Sequence, residues 1–156
     1  MPAIWLIFIL LASARAHSPM SSPGKGLENL ILLGYQPFEK LPEVLATGDV
    51  LTGVLEEDAG VFSVPSKVLT YLCARKPILL AVPEVNLAAR IIREEEAGLT
   101  AGPSDEGGYL AAAEKLYSDE GEAAKMATRA REYAEQNFDV TRIGDRFEVV
   151  LSQLTP

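Results

Sequence analysis

The chain has 156 residues, enough for one domain and short for two. With 48% apolar residues, 23% charged residues and a net charge of -8, it has the composition of a soluble globular protein and lacks the basic surface of a nucleic-acid binder. A single cysteine, Cys73, excludes an intrachain disulfide, and a single histidine, His17, leaves no material for a His-rich metal site or a Ser-His-Asp triad.

Residues 1–26 read as a leader with three open readings. "AIWLIFILLA" is shorter than the roughly 20 apolar residues of a membrane span. It has the length of a signal-peptide core, and Ala14-Arg15-Ala16 has the small-x-small form of a cleavage site, although only the α-amino group supplies positive charge ahead of it. It also reads as a buried strand opening a parallel sheet, or as sequence foreign to the domain behind it. "PGKG" is not a phosphate-binding P-loop, because Leu27 stands where that motif needs a hydroxyl.

From residue 27 to 156 the pattern is that of one domain. "NLILLG" predicts a short buried strand ending at Gly34, and "PFEKLPEVLATG" a helix with Leu41, Val44 and Leu45 on one face. "DVLTGVL" predicts a second strand. "PSKVLTYLCAR" predicts a helix with Val68, Leu69 and Leu72 inward and Cys73 as a small core residue. "PILLAV" is a third strand. "NLAARIIREEEAG" is a helix capped by Asn86, with Gly98 just past its end. "GLTA" is a short edge strand, followed by a helix capped by Ser104 or Asp105 and by a helical remainder. Strands alternating with helices imply an α/β fold, a Rossmann-like parallel sheet flanked by helices in a doubly wound arrangement. In such sheets ligands bind beyond the carboxyl ends of the strands. That selects Gly34-Tyr35 and the loops at residues 56–66, 83–86 and 102–105.

One loop carries the most chemistry. Glu56, Glu57 and Asp58 are followed by Gly60, Ser63, Pro65, Ser66 and Lys67 at a helix start. The free first-turn amides and the helix dipole form an anion site, small residues admit a phosphate, and Lys67 adds a full charge. Carboxylates beside it accept from hydroxyls, a pairing that suits a phosphorylated sugar; read plainly, the same acids are a solvated loop. Lys67, Arg75, Lys76, Arg90 and Arg93 also make residues 59–93 locally basic in an acidic chain. Glu94, Glu95 and Glu96 after Arg90 and Arg93 read as a solvated helix face with ion pairs.

"GVFSVPSKVLTYLCARKPILLAV", "EEEAGLTAGPSD", "AREYAEQNF" and the earlier "LENLILLGYQPFEKLPEVLATGDVL" resemble, in order, the C-terminal half of family 4 retaining glycosyltransferases of the GT-B fold, in the branch that builds bacterial exopolysaccharide and lipopolysaccharide. The resemblance covers residues 27 to about 151. It implies a nucleotide-sugar donor site: Gly34 and Tyr35 at the base; Gly60, Ser63, Ser66 and Lys67 at the diphosphate; Glu57 near the donor sugar. It implies transfer to an acceptor hydroxyl without metal or other cofactor, the donor itself being the substrate. The chain departs from the family at Thr70, where a glutamate is common at this donor-sugar position, and at Arg75, where a glycine is usual; Arg75 and Lys76 otherwise complement a helix C-terminus. The acceptor-binding half has no counterpart here, so the resemblance implies a donor half that is inactive alone, completed in trans by a separate chain or left by a truncated gene. It also implies a cytoplasmic protein, at the inner membrane face or free, against the secretion that the signal-like leader suggests.

Overall fold

The computed structural model describes residues 8–10, 36–57 and 66–153. Four strands form one parallel sheet in the order β1 (Phe8–Leu10), β2 (Val50–Val54), β3 (Ile78–Ala81) and β4 (Gly98–Ala101). β1 lies inside the segment read above as a leader and takes the edge position beside β2, with Phe8 opposite Val50. The helices are α1 (Leu41–Thr47), entered through a 3-10 turn at Phe38–Lys40, α2 (Ser66–Cys73), α3 (Leu87–Glu94), α4 (Glu106–Ser118), α5 (Glu120–Asn137) and α6 (Val140–Ser152). The expected strand "NLILLG" lies outside the described residues. The others fall where hydropathy places them.

The strand order is sequential, with no reversal among the described strands. Right-handed crossovers in one direction stack their helices on a single face. Leu45 of α1, Val68, Tyr71 and Leu72 of α2, and Ala88, Ala89 and Ile92 of α3 therefore share one core with Leu51, Ile78 and Leu80. The opposite face is covered only after the last strand, when α4 brings Leu116 against Val50 and Leu79. The chain thus makes helices on both faces without the switch point that a doubly wound order would give these strands.

β3 has no polar side, since Ile78, Leu79, Leu80 and Ala81 are all buried. Each of its larger side chains contributes about 1.5–3 kcal/mol of burial. A polar knot joins the layers through β2: the Thr52 hydroxyl donates to the Leu79 carbonyl at 2.9 Å and shares a hydrogen bond with the Tyr109 hydroxyl of α4, while Tyr71 of α2 donates to the Thr52 carbonyl at 3.0 Å.

Two inward assignments and one helix end are corrected. Leu69 is 40% exposed and Tyr71 takes its place in the core, because its ring fills the space over Gly53 and its hydroxyl has a buried partner. Cys73 is exposed at the end of α2, on the side away from Val68 and Leu72. Gly98 is not a helix terminator but the first residue of β4, where an added Cβ would lie 1.9 Å from the Ile78 carbonyl oxygen. The left-handed residue after α3 is Glu96, at φ 48. Arg75, after α2, is left-handed too, at φ 54. A side chain there costs about 1 kcal/mol relative to the glycine that the resembled family carries.

α5 crosses the amino edge of the sheet. Met126 packs under the α4 face, while Ala130 and Ala134 pack under the α2 face. Arg131 donates to the Cys73 carbonyl at 2.9 Å, a cation at the carbonyl end of α2. Arg129 meets Glu96 beyond α3 at 3.3 Å. At the far end of α5, Tyr133 packs edge-to-face on Phe138 with ring centroids 5.8 Å apart.

Gly98→Ala forces β4 away from β3 and should lower stability by at least about 3 kcal/mol, the top of the overpacking range, in urea denaturation. The Tyr133 hydroxyl is held above its ordinary pKa of 10.0, first by burial and then by Glu95 and Glu94. A raised folded-state pKa means that this stabilisation is complete below the unfolded value and is lost as pH rises through the folded one. Stability should therefore fall above about pH 10, and Tyr133→Phe should flatten that fall.

Candidate functional site

The parallel register brings Val54, Ala81 and Ala101 level at the carboxyl edge. From that edge leave the β2–α2, β3–α3 and β4–α4 connections, so the N-termini of α2, α3 and α4 all face the same side of the sheet, as an α/β crossover requires. Two of these ends are closed by the chain itself. The Asn86 side chain, buried, accepts from the Ala88 amide at 2.8 Å, and Asp105 accepts from the Gly108 amide at 2.9 Å. This confirms Asn86 as a cap and selects Asp105 over Ser104.

α2 is different. Ser66, Lys67 and Thr70 stand at i, i+1 and i+4 on its first turn and a half, so all three share one face. Ser66 is exposed, and Lys67 and Thr70 are half-buried, while Val68, Tyr71 and Leu72 anchor the other face. Lys67 has no carboxylate within 4 Å among the described residues. Glu57 follows the end of β2 by three residues and is exposed. Ser66, Lys67, Thr70 and Glu57 thus belong to one edge of the sheet. Gly34, Tyr35, Gly60 and Ser63 lie outside the described residues.

The locally basic segment does not form one patch. Arg90 pairs with Glu94 at 3.8 Å within the third helix, as its sequence suggests, whereas Arg93 pairs at 3.3 Å with Glu84, ahead of the helix. Arg75 and Lys76 follow the opposite end of α2 from Lys67 and line a groove at the amino edge of the sheet, with Asp49, Pro77 and Thr128. This groove, about 480 Å³, is therefore not at the edge where Lys67 stands. The carboxyl edge is the better seat for anion chemistry, because strand polarity and helix dipoles direct anions there whatever the depth of the surface.

Sequence reasoning missed two apolar members of the carboxyl edge. Val54, the last residue of β2, is 59% exposed, and Val85, between β3 and α3, is 70% exposed. Neither carries a signal in the sequence, because a valine ending an apolar strand reads like its buried neighbours until the strand end is placed. Among the described residues no group of three or more His, Cys, Asp or Glu could hold a metal ion, and no helix is long and apolar enough to cross a membrane.

Compared with known proteins, the chain matches no family model, no curated protein and no solved structure.

The roles of these residues differ in their expected cost. Asn86→Ala removes a buried cap and should lower stability by about 1–2 kcal/mol. Lys67→Ala removes an exposed-face cation without an ion pair and should change stability by less than about 0.5 kcal/mol. Thermal unfolding of the two variants beside the parent chain checks both.

Proposed function

We propose that this chain is the nucleotide-sugar-binding half of a retaining glycosyltransferase that transfers a sugar to an acceptor hydroxyl in cell-surface polysaccharide synthesis. The observation that carries the proposal is the face of α2 at the carboxyl edge: Ser66, Lys67 and Thr70 together, with Glu57 leaving the neighbouring strand. The sequence resemblance to family 4 glycosyltransferases assigns the donor diphosphate to this helix start, and the helix dipole gives the physical reason.

In this reading the first-turn amides of α2 and the Lys67 ammonium receive the diphosphate. The bond from the anomeric carbon to the diphosphate oxygen breaks, and negative charge grows on the leaving group. A fixed cation and fixed dipoles stabilise that charge without reorganising. Glu57 accepts hydrogen bonds from donor-sugar hydroxyls. Thr70 offers a shorter, neutral contact where the resembled enzymes commonly hold a carboxylate. The exposed Val54 and Val85 give the edge an apolar surface beside the polar one. The new glycosidic bond retains the donor's configuration, and the acceptor proton passes to a group supplied by a second α/β half in trans. Nucleotide-sugars of this kind are cytoplasmic substrates, so in this reading the chain works in the cytoplasm, the inner membrane face included.

A second reading is a module that binds a nucleotide or nucleotide-sugar without transferring it. The architecture favours it in one respect: the described residues form a single α/β unit with one ligand-binding edge, and transfer needs an acceptor held against the donor.

Ligand-detected NMR on the full chain with UDP-, GDP- and ADP-glucose, and inorganic phosphate as control, tests the proposal. Binding of one nucleotide-sugar, weakened at least about tenfold by Lys67→Ala, supports it, since a charge-assisted contact contributes about 1.5–3 kcal/mol. Binding of none overturns it. Added acceptor and a complementary half then separate transfer from binding alone.

A further inference from the structure

Among the described residues, the last helix of the fold lies open along its length. Every residue of α6 from Val140 to Ser152 is exposed. Val140, Ile143, Phe147 and Val150 recur at alternating spacings of three and four, which puts them on one stripe, with Leu151 at its margin. Val140 is 80% exposed and Phe147 66%. A helix of 13 residues is marginal in water unless packing supports it, and an apolar stripe of this kind marks an interface.

The amino-edge groove is its counterpart. Val50, Pro77 and Leu116 line it together with Ala123, Ala124 and Ala127, whose small side chains leave the space that large ones would fill. These alanines occupy the first half of the 18-residue α5, and α6 leaves from its other end. At 1.5 Å of rise per residue, the start of a chain's own α6 lies about 15 Å or more from its own groove.

Charge points the same way. Among the described residues Arg90, Arg93, Arg129 and Arg131 each meet a carboxylate, whereas Arg75, Arg142 and Arg146 meet none. Arg75 lines the groove, and Arg142 and Arg146 stand one turn apart on one flank of α6. Glu120 of the groove and Glu148 on the other flank of α6 are also outside ion pairs.

We propose that two copies of this chain form a symmetric dimer in which α6 of each copy lies in the amino-edge groove of the other. Ile143 and Phe147 fill the space over Ala123 and Ala127. Arg142 and Arg146 meet Glu120, and Glu148 meets Arg75 and Lys76. The exchange is reciprocal, so it closes at two copies. The exchange makes two helix-in-groove contacts, and an interface of standard size buries about 1,600 Å² in all, roughly 800 Å² for each contact. The dimer leaves the carboxyl edge open and stands independently of the donor-binding reading.

Sedimentation equilibrium on the full chain from about 1 to 100 μM is the first test. The expected mass is twice the 16.8 kDa of one chain, and Phe147→Asp or Ala124→Glu should each weaken association at least about tenfold. Disulfide trapping fixes the geometry. With Cys73→Ser removing the native thiol, Ala124→Cys combined with Phe147→Cys should cross-link two copies on oxidation, while either cysteine alone should not. A parent chain that stays monomeric at the highest concentration overturns the proposal. So does efficient cross-linking by Phe147→Cys alone, which would mean that α6 pairs with α6.

Discussion

The close approach of β3 and β4 governs this fold. At Gly98 the β4 backbone leaves no room for a Cβ beside the Ile78 carbonyl, so the two strands pair only because that residue has no side chain. Pairing places β3 inside the sheet, where its uniformly apolar sequence requires cover on both faces. The crossover helices supply one cover, and α4 returns over the other. The Thr52 knot then ties α2, β2, β3 and α4 in one hydrogen-bonded chain through the sheet.

This construction makes the two edges of the sheet unlike. α5 lies across the amino edge, with Arg131 on the carbonyl end of α2 and Arg129 on Glu96. Among the described residues, the carboxyl edge receives helix N-termini and their connections. Two of those N-termini hold a first-turn amide on Asn86 and Asp105, and α2 carries Lys67 and two hydroxyls on one face, residue types that suit an outside anion. The proposed division is then donor binding at one edge and self-association at the other.

Most of the element pattern was legible because it rests on local rules. "PILLAV" reads as a buried strand through its unbroken apolar run, and Asn86 and Asp105 read as caps through their side-chain oxygens. The misreadings concern residues whose role is set by a distant partner. Gly98 looked like a helix stop, but its conformation answers to Ile78, twenty positions earlier. Leu69 looked inward on its helix, yet Tyr71 takes the core position, because its hydroxyl reaches the Thr52 carbonyl. Cys73 looked like a core residue because burial is usual for cysteine, yet the turn of α2 sets it on the outer side. The basic segment looked continuous because charge was counted along the chain, whereas α2 carries Lys67 to one edge and Arg75 to the other. At the candidate site, Ser66 and Lys67 were legible as a helix start and Thr70 through the family resemblance, while Val54 and Val85 became visible only when the ends of the strands were placed.

The central claim is that an anion-bearing ligand binds at the start of α2. An amide chemical-shift titration of isotope-labelled chain with UDP tests it most directly, because each residue reports separately. The account predicts that the Ser66, Lys67 and Val68 amides shift first and saturate together, with Arg75, Lys76 and Thr128 unmoved. Shifts confined to Arg75, Lys76 and Thr128 would place the anion in the amino-edge groove and contradict the account.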